Sequence, residues 1–168
     1  MKKSFNISIL LLIAVFSFGC FIPVNNPDPF YSAWRDWGGP RFPLIYPYDV
    51  FYIGQSEDWA INLHSPQKSE ELHYYQSVND IDKIAVVNGV IMVHSSYKEK
   101  NGSVVSAQDL SWFVIIPSEE VERGFNNEVS FLKFIDAYGI AEIKWETPDQ
   151  LNRKFLDTGC LEWIPGCV

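Results

Sequence analysis

The dipeptide Asn88-Gly89 constrains the fold of this chain more than any other sequence feature. It separates two runs rich in aliphatic and β-branched residues, 81–87 and 90–97. Both central residues of a type I′ turn need a positive φ, and asparagine and glycine are the residue types that tolerate it. The sequence therefore predicts a β-hairpin at this point, with an antiparallel sheet around it.

Further strands are predicted on both sides of the hairpin. Residues 48–53 are aromatic and β-branched, and the aromatic content of 15 % suits a packed β-rich domain. Residues 58–64 alternate apolar and polar side chains, which is typical of a strand with one face in the core. Residues 110–116 are almost continuously apolar, as expected of a strand that is covered on both faces.

Helices are predicted only near the end of the chain. Asn127 can cap a helix over residues 128–137. A second helix is expected after Thr147, because Pro148 suits the first helical position and Gln150 completes a capping box. The pattern predicts an α+β fold, with an antiparallel sheet of about five to seven strands and two late helices packed on one side.

The beginning of the chain has the features of a secretory signal peptide. Lys2 and Lys3 precede an uncharged apolar run over 5–18, and Gly19 lies directly before Cys20. The run is too short to span a bilayer, which takes about 20 apolar residues. A cysteine at this position indicates a lipoprotein that is tethered to a membrane by acyl chains on Cys20. The alternative is ordinary secretion, with Cys20 as a free or paired thiol.

This interpretation divides the chain into three parts and places it in the cell envelope. Residues 1–19 are the signal peptide, 20–46 a lipidated tether with a proline- and aromatic-rich strap, and 47–168 a single α+β domain. The residue directly after the cysteine is Phe21 and not an aspartate, which favours transport to an outer membrane. The expected location is the periplasmic face of that membrane or the cell surface.

The charge of the chain argues against two classes of partner. Removal of Lys2 and Lys3 leaves 11 basic side chains against 21 acidic ones, a net charge of about −10. Nucleic acids and anionic lipid surfaces are bound through basic side chains, so neither is expected as a partner. The acidity is explained by solubility, with a basic partner as the alternative.

Two cysteines near the end of the chain are expected to form a disulfide. Cys160 and Cys167 flank a segment that contains the turn-forming pair Pro165-Gly166. The expected compartment permits disulfides. A zinc site is disfavoured, because the spacing is not that of zinc ligands and no histidine is nearby.

The strap contains the candidate binding residues Trp34 and Trp37, which directly precede Gly38-Gly39-Pro40. Their rings either cover an apolar sheet edge or form a stacking platform for a sugar or a peptide. The sequence leaves both interpretations open.

The remaining polar residues show no catalytic or metal-binding pattern. His64, His73 and His94 have no spacing that forces a metal site, and no nucleophile elbow surrounds Ser95-Ser96. The acidic residues within 119–122 are interpreted as a solvated turn, with a cation or basic-partner site as the alternative. We therefore expect no cofactor, no metal and no assigned catalytic residue.

Several of these segments together resemble a family of small bacterial lipoproteins, the domain of unknown function 3997. The resemblance covers about residues 47–145 and rests on residues 48–53, 83–86, 90–93, 112–116, 140–143 and the helix with Phe131, Phe134 and Ile135. Residues 119–124 depart from the family pattern, in which more Gly or Pro is expected. The resemblance implies an envelope lipoprotein and supplies no catalytic residue.

Two functional classes remain after these observations. The first is a non-enzymatic envelope protein that binds a protein, a peptide or a glycan. The second is a small periplasmic or cell-surface hydrolase that uses His94 or His64. The first is preferred, because polar residues with catalytic spacing are not apparent in the sequence.

Overall fold

The computed structural model describes residues 28–32, 38–65, 72, 76–97 and 110–167. Eight strands and three α-helices lie within these residues. The strands are β1 (Arg41–Pro43), β2 (Asp49–Ile53), β3 (Asp58–Asn62), β4 (Ser77–Val78), β5 (Ile81–Val87), β6 (Val90–Ser95), β7 (Trp112–Ile116) and β8 (Val121–Phe125). The helices are α1 (Pro29–Ser32), α2 (Glu128–Asp136) and α3 (Pro148–Thr158), and a 3₁₀ turn (Pro117–Glu119) precedes β8.

The strands form two antiparallel sheets of four strands each. Sheet A has the order β1-β2-β3-β4 and sheet B the order β5-β6-β7-β8, so both are meanders of sequence neighbours. The predicted α+β class with two late helices is confirmed, but the prediction of one sheet is wrong. The chain leaves sheet A after the two-residue strand β4 and turns at Asp80, whose φ is 51°. β5 then packs its apolar face onto sheet A instead of pairing with β4.

The predicted hairpin is confirmed in both its turn and its strands. Asn88 and Gly89 have φ values of 51° and 81°, as a type I′ turn requires. Val87 pairs with Val90 directly beside the turn, and the pairing extends to Ile81 with one irregularity in register.

The main core lies between the two sheets and includes α3. Its largest fully buried side chains are Phe42, Leu44, Ile61, Leu72, Ile84, Ile91, Ile115, Leu151 and Phe155. Each side chain of this size stabilises the fold by about 1.5–3 kcal/mol on burial. Trp59 adds a polar link, since its indole Nε1 donates a hydrogen bond to Asp149 Oδ1 of α3 at 2.9 Å.

A second core covers the opposite face of sheet B. Phe131 and Ile135 of α2 pack there against Met92 and Val114. Every residue of β6 and β7 is therefore buried, as the continuous apolar run 110–116 predicts. A sheet that is apolar on both faces needs a cover on each, and α2 and α3 consequently pack on opposite faces. The prediction that both helices pack on one side is wrong.

Both predicted helix starts are confirmed by their capping hydrogen bonds. Asn127 Oδ1 accepts a hydrogen bond from Ser130 N at 2.9 Å. The Thr147 hydroxyl and the Gln150 side chain form the reciprocal capping box at the start of α3. Gly159 ends α3 with a φ of 70°, a conformation that favours glycine.

Candidate functional site

Three groups of polar residues in the described part of the chain are candidates for function. The first is an open cleft on sheet A. The second is a histidine–carboxylate pair on sheet B, and the third is a glutamate that is buried between the sheets.

The cleft has a volume of about 350 Å³, within the range of about 300–1,000 Å³ that small-ligand pockets occupy. It is lined by Gly38, Gly39, Pro40, Arg41, Phe51, Tyr52 and Asn62. These residues come from the segment before β1 and from the first three strands. The cleft is therefore a product of sheet pairing and not of one continuous motif.

Strand register brings three of the lining side chains, those of Arg41, Phe51 and Asn62, to one face of sheet A. Arg41 lies directly opposite Phe51, and Phe51 lies opposite Ala60. Asn62 is two residues beyond Ala60 and shares its face, because strand side chains alternate. The intervening Val50 and Ile61 point into the main core. The cleft consequently lies on the face of sheet A that points away from sheet B.

Arg41, one of the lining residues of the cleft, is paired with a buried carboxylate. Arg41 Nε donates a hydrogen bond to Asp49 Oδ2. The Asp49 side chain is 6 % exposed, whereas 39 % of the Arg41 side chain is accessible. The guanidinium group beside the cleft is therefore held in place by the Asp49 carboxylate.

Two glycines form part of the cleft wall, and no contact within the described residues requires them to be glycine. A Cβ built on Gly38 or on Gly39 meets no atom of the described residues within 4 Å. Neither residue has a positive φ. Their missing side chains therefore leave space in the cleft instead of relieving a clash or a strained backbone.

The candidate binding residues Trp34 and Trp37 and the proposed lipidation site Cys20 all lie outside the described residues. The sequence connects Trp37 directly to Gly38 of the cleft wall. The stacking-platform hypothesis for the two tryptophans stays a prediction, as does lipidation of Cys20.

The predicted cysteine pair lies at disulfide distance and closes a loop that packs beside the cleft strands. The sulfurs of Cys160 and Cys167 are 2.13 Å apart. Leu161 and Ile164 of this loop are buried in the main core. Trp163 Nε1 donates a hydrogen bond to the carbonyl oxygen of Pro43 at 3.2 Å, so the loop supports the end of β1.

His94 is paired with a carboxylate, which is one element of a catalytic dyad. Its Nδ1 lies 2.6 Å from Asp82 Oδ1, and its ring centroid lies 4.2 Å from that of Trp112. The Lys83 ammonium is placed over both Trp112 and Trp145, at 5.0 and 5.5 Å from the ring centroids.

The neighbouring serines do not supply a nucleophile for this pair. The hydroxyl of Ser95 donates to the carbonyl oxygen of Asn79 at 2.6 Å, and that of Ser96 donates to the carbonyl of Asp80 at 3.2 Å. His64 has different surroundings, since its side chain is exposed and its ring lies against Tyr48. Among the described residues no three His, Cys, Asp or Glu side chains converge as a metal site would.

Glu122 is the candidate whose burial the sequence did not indicate. It belongs to β8 and is completely buried, so the interpretation of the acidic run as a solvated turn is wrong at this residue. Its Oε1 accepts hydrogen bonds from the Tyr48 hydroxyl, His64 N and Ser65 N at 2.8, 2.6 and 2.9 Å. Its Oε2 has no hydrogen-bond partner in the described part of the chain. We call these four residues the Glu122 cluster.

The cluster explains why a glutamate occupies this position. Alternation along β8 turns Val121 and Phe125 to the second core and Glu122 towards sheet A. β8 is an edge strand of sheet B, and an inward-pointing charge is one way in which proteins protect such an edge. The alternation of residues 121–125 could have indicated a strand with Glu122 on its inner face. The charged residues in this segment led instead to the interpretation as a turn.

Tyr48 is held in its neutral form within the cluster. Burial raises the pKa of the phenol well above its ordinary value, and the hydrogen bond to Glu122 raises it further. An anionic phenolate beside a buried carboxylate is disfavoured by desolvation and by charge repulsion. The cluster therefore serves as a fixed hydrogen-bonded link between the two sheets.

Comparisons of this chain with protein-family models, with curated proteins and with solved structures find no match. The resemblance to the lipoprotein family accordingly stays a prediction. No helix in the described residues is long and apolar enough to cross a membrane.

Proposed function

We propose that this chain is a lipid-anchored protein of the cell envelope that acts as a non-enzymatic binding module. The cleft on sheet A is the proposed binding surface. The anchor rests on the basic start, the apolar run over 5–18 and Cys20. The expected location is the periplasmic face of an outer membrane or the cell surface.

The observation that carries the binding proposal is the composition of the cleft. An accessible guanidinium, an exposed amide and a half-buried aromatic ring share one face, at Arg41, Asn62 and Phe51. Small-ligand sites combine apolar surface with a few placed polar groups in this way. The groups are set by the register of three strands, so they are fixed before any ligand binds.

A photo-crosslinking residue introduced at Pro40, an exposed residue of the cleft wall, tests the binding proposal in intact cells with the full chain. The expected result is a defined adduct from position 40 and none from the same residue at Asn126, which is exposed and distant in sequence from the cleft strands. Equal adduct patterns from both positions, or none from position 40, would contradict the proposal. The readout does not depend on the chemical class of the partner.

Metabolic labelling with a fatty acid tests the anchor. Wild-type protein should incorporate the label and the Cys20→Ser variant should not. Unlabelled wild type, or equal labelling of the variant, would overturn the lipidation proposal and leave the cleft proposal untouched.

A hydrolase is the second candidate, favoured by the 2.6 Å contact between His94 and Asp82. An imidazole oriented by a carboxylate is the base of many hydrolases. This candidate predicts turnover of an envelope substrate that is lost in His94→Ala and retained in Asn62→Asp. The binding module predicts that partner capture is lost in Asn62→Asp and retained in His94→Ala.

A further inference from the structure

We propose that an aromatic patch beside α1 docks this domain on a zwitterionic bilayer surface. The patch consists of Pro29, Phe30 and Tyr46, and we call it the Tyr46 patch. The proposal rests on the proposed anchor at Cys20, because the acyl chains bring the domain to the bilayer. It adds the face of the domain that meets the lipid.

Tyr46 is a large aromatic residue that the fold exposes next to α1. It is 63 % exposed, and its ring centroid lies 5.4 Å from that of Phe30 in an edge-to-face arrangement. Pro29 directly precedes Phe30 and is also exposed. A tyrosine combines an apolar ring with a polar hydroxyl, and such residues are enriched where a membrane meets water.

Hydrogen bonds hold the patch in a fixed position on the domain. The Tyr46 backbone N–H donates to the hydroxyl of Tyr31 at 3.1 Å, and Tyr31 is buried in the main core. The turn is closed by two further backbone bonds, from Leu44 N to Tyr48 O at 2.9 Å and from Tyr48 N to Ile45 O at 2.8 Å. An exposed ring on such a turn loses little conformational entropy when it contacts a surface.

The length of chain before α1 selects this end of the domain for contact with the bilayer. Seven residues separate Cys20 from Asp28, the first residue that the structure describes. A fully extended chain over this interval spans at most about 29 Å. A domain of this size has a diameter of about 37 Å, so the segment is too short to pass around it. The surface around α1 therefore stays close to the lipid.

The charge of the chain selects the kind of lipid. The mature net charge is about −10, and the exposed Asp28 lies beside the patch. Its Oδ1 accepts a hydrogen bond from Phe30 N at 2.9 Å, which holds the carboxylate there. Anionic bilayers attract basic segments and repel an acidic domain. A zwitterionic surface offers the same interface to the aromatic rings without this repulsion.

Docking through the Tyr46 patch leaves the cleft on sheet A accessible. The turn that carries Tyr46 joins β1 to β2, and the pair Pro43 and Asp49 lies next to it. Arg41 and Phe51, which line the cleft, form the pair of these strands that is farthest from the turn. The patch and the cleft therefore lie at opposite ends of the β1–β2 hairpin, so that one can contact lipid while the other binds a partner.

Photo-crosslinking to lipid tests the proposal independently of natural lipidation. The chain that starts at Cys20 contains every residue that the structure describes. It is coupled through the Cys20 thiol to a maleimide lipid in nanodiscs of phosphatidylcholine, with Cys160 and Cys167 kept as the disulfide. The photoreactive residue p-benzoylphenylalanine replaces Tyr46 in one sample and Val129 in the other, and lipid adducts are measured by mass spectrometry.

Position 129 is the matched control for an exposed apolar site. Val129 is 77 % exposed and belongs to α2, which covers the face of sheet B that points away from sheet A. We expect the yield of lipid adduct from position 46 to be at least about fivefold higher than from position 129. Equal yields from the two positions, or no adduct from position 46, overturn the proposal.

A second measurement tests the Tyr46 ring itself. With p-benzoylphenylalanine at Pro29, Tyr46→Ser should lower the yield of lipid adduct by about fivefold or more, whereas Val129→Ser should leave it within about twofold. Both substitutions are at exposed positions and leave the two cores intact. An unchanged yield in Tyr46→Ser overturns the proposal, as does a yield that rises when phosphatidylglycerol is added to the nanodiscs.

Metabolic labelling of Cys20 remains the separate test of the proposed anchor. Unlabelled wild-type protein contradicts the proposed function, whereas adducts from the chemically coupled chain report only on the Tyr46 patch. The failure of one proposal is therefore distinguishable from the failure of the other.

Discussion

Sheet A and sheet B each contain a buried carboxylate, and the two carboxylates have different roles. Asp49 in sheet A neutralises Arg41 and leaves 39 % of that side chain accessible beside an open cleft. Glu122 in sheet B is completely buried and accepts three hydrogen bonds from within the protein. The first arrangement lies at an accessible surface beside the cleft. The second uses its hydrogen bonds to join the sheets.

The difference shows how burial and hydrogen bonding separate a structural polar group from a functional one. A buried acceptor that loses its donors, or a donor that loses its acceptor, costs the fold the desolvation of that group. Polar groups at an accessible surface can exchange protein contacts for water at little cost. The Glu122 cluster is therefore expected to govern stability, and the cleft is expected to govern binding.

Substitution of Glu122 should have the largest effect on stability. Glu122→Ala leaves the Tyr48 hydroxyl and Ser65 N without their acceptor in a buried site. We expect the free energy of unfolding to fall by about 3–5 kcal/mol, measured by urea denaturation followed by tryptophan fluorescence. Glu142→Ala, at an exposed position, is the control and should change stability by less than about 0.5 kcal/mol. A loss below about 1 kcal/mol in Glu122→Ala would break the comparison.

Removal of the disulfide should have the next largest effect. Loop entropy predicts a loss of about 2.5 kcal/mol when Cys160 and Cys167 are both replaced by serine. Because Trp163 of this loop supports β1, the double variant should also weaken binding in the cleft. Trp163→Phe separates the two effects, since it removes the hydrogen bond to Pro43 and keeps the cross-link. Unchanged stability of the double variant would show that the cysteines do not constrain the unfolded chain.

Alkaline pH should reveal the buried phenol of Tyr48. Its pKa is raised in the folded protein, whereas in the unfolded chain it ionises near pH 10. Below about pH 10 both states are protonated, and above it only the unfolded state loses the proton. Stability is therefore expected to fall above pH 10 by up to about 1.4 kcal/mol for each pH unit. Tyr48→Phe should reduce that slope, and an identical slope in the variant would contradict the burial of the phenol.

Substitutions within the cleft should have the smallest effect on stability. Asn62 is exposed, and its side chain lines the cleft instead of packing in a core. Asn62→Asp should alter the free energy of unfolding by less than about 0.5 kcal/mol. A loss above about 1.5 kcal/mol in the same denaturation experiment would mean that the cleft side chains are structural.

The features that the sequence predicted correctly depend on neighbouring residues. The hairpin follows from Asn88-Gly89, and the helix starts follow from Asn127 and Thr147, whose capping partners lie three residues away. Local hydrogen bonds and turn conformations decide these features. These features could therefore be predicted without knowledge of the fold.

The features that the sequence did not predict depend on distant contacts. The division into two sheets is decided by which faces of β5 and sheet A pack together, and the strand patterns do not specify partners. The cleft unites residues of three strands, and Glu122 meets Tyr48 across 74 residues of sequence. Gly124 is similar, because a Cβ there would lie 2.4 Å from Leu110 Cδ1, a contact that only the folded chain creates.

Crosslinking from position 40 in intact cells, combined with either Gly38→Val or Glu122→Ala, tests the separation of binding from stability most directly. Gly38→Val should abolish the adduct while its free energy of unfolding stays within about 0.5 kcal/mol of wild type. Glu122→Ala should lower the free energy of unfolding and keep the adduct on the protein that remains folded. A full yield of adduct from Gly38→Val would show that the space beside Gly38 is not occupied by the partner.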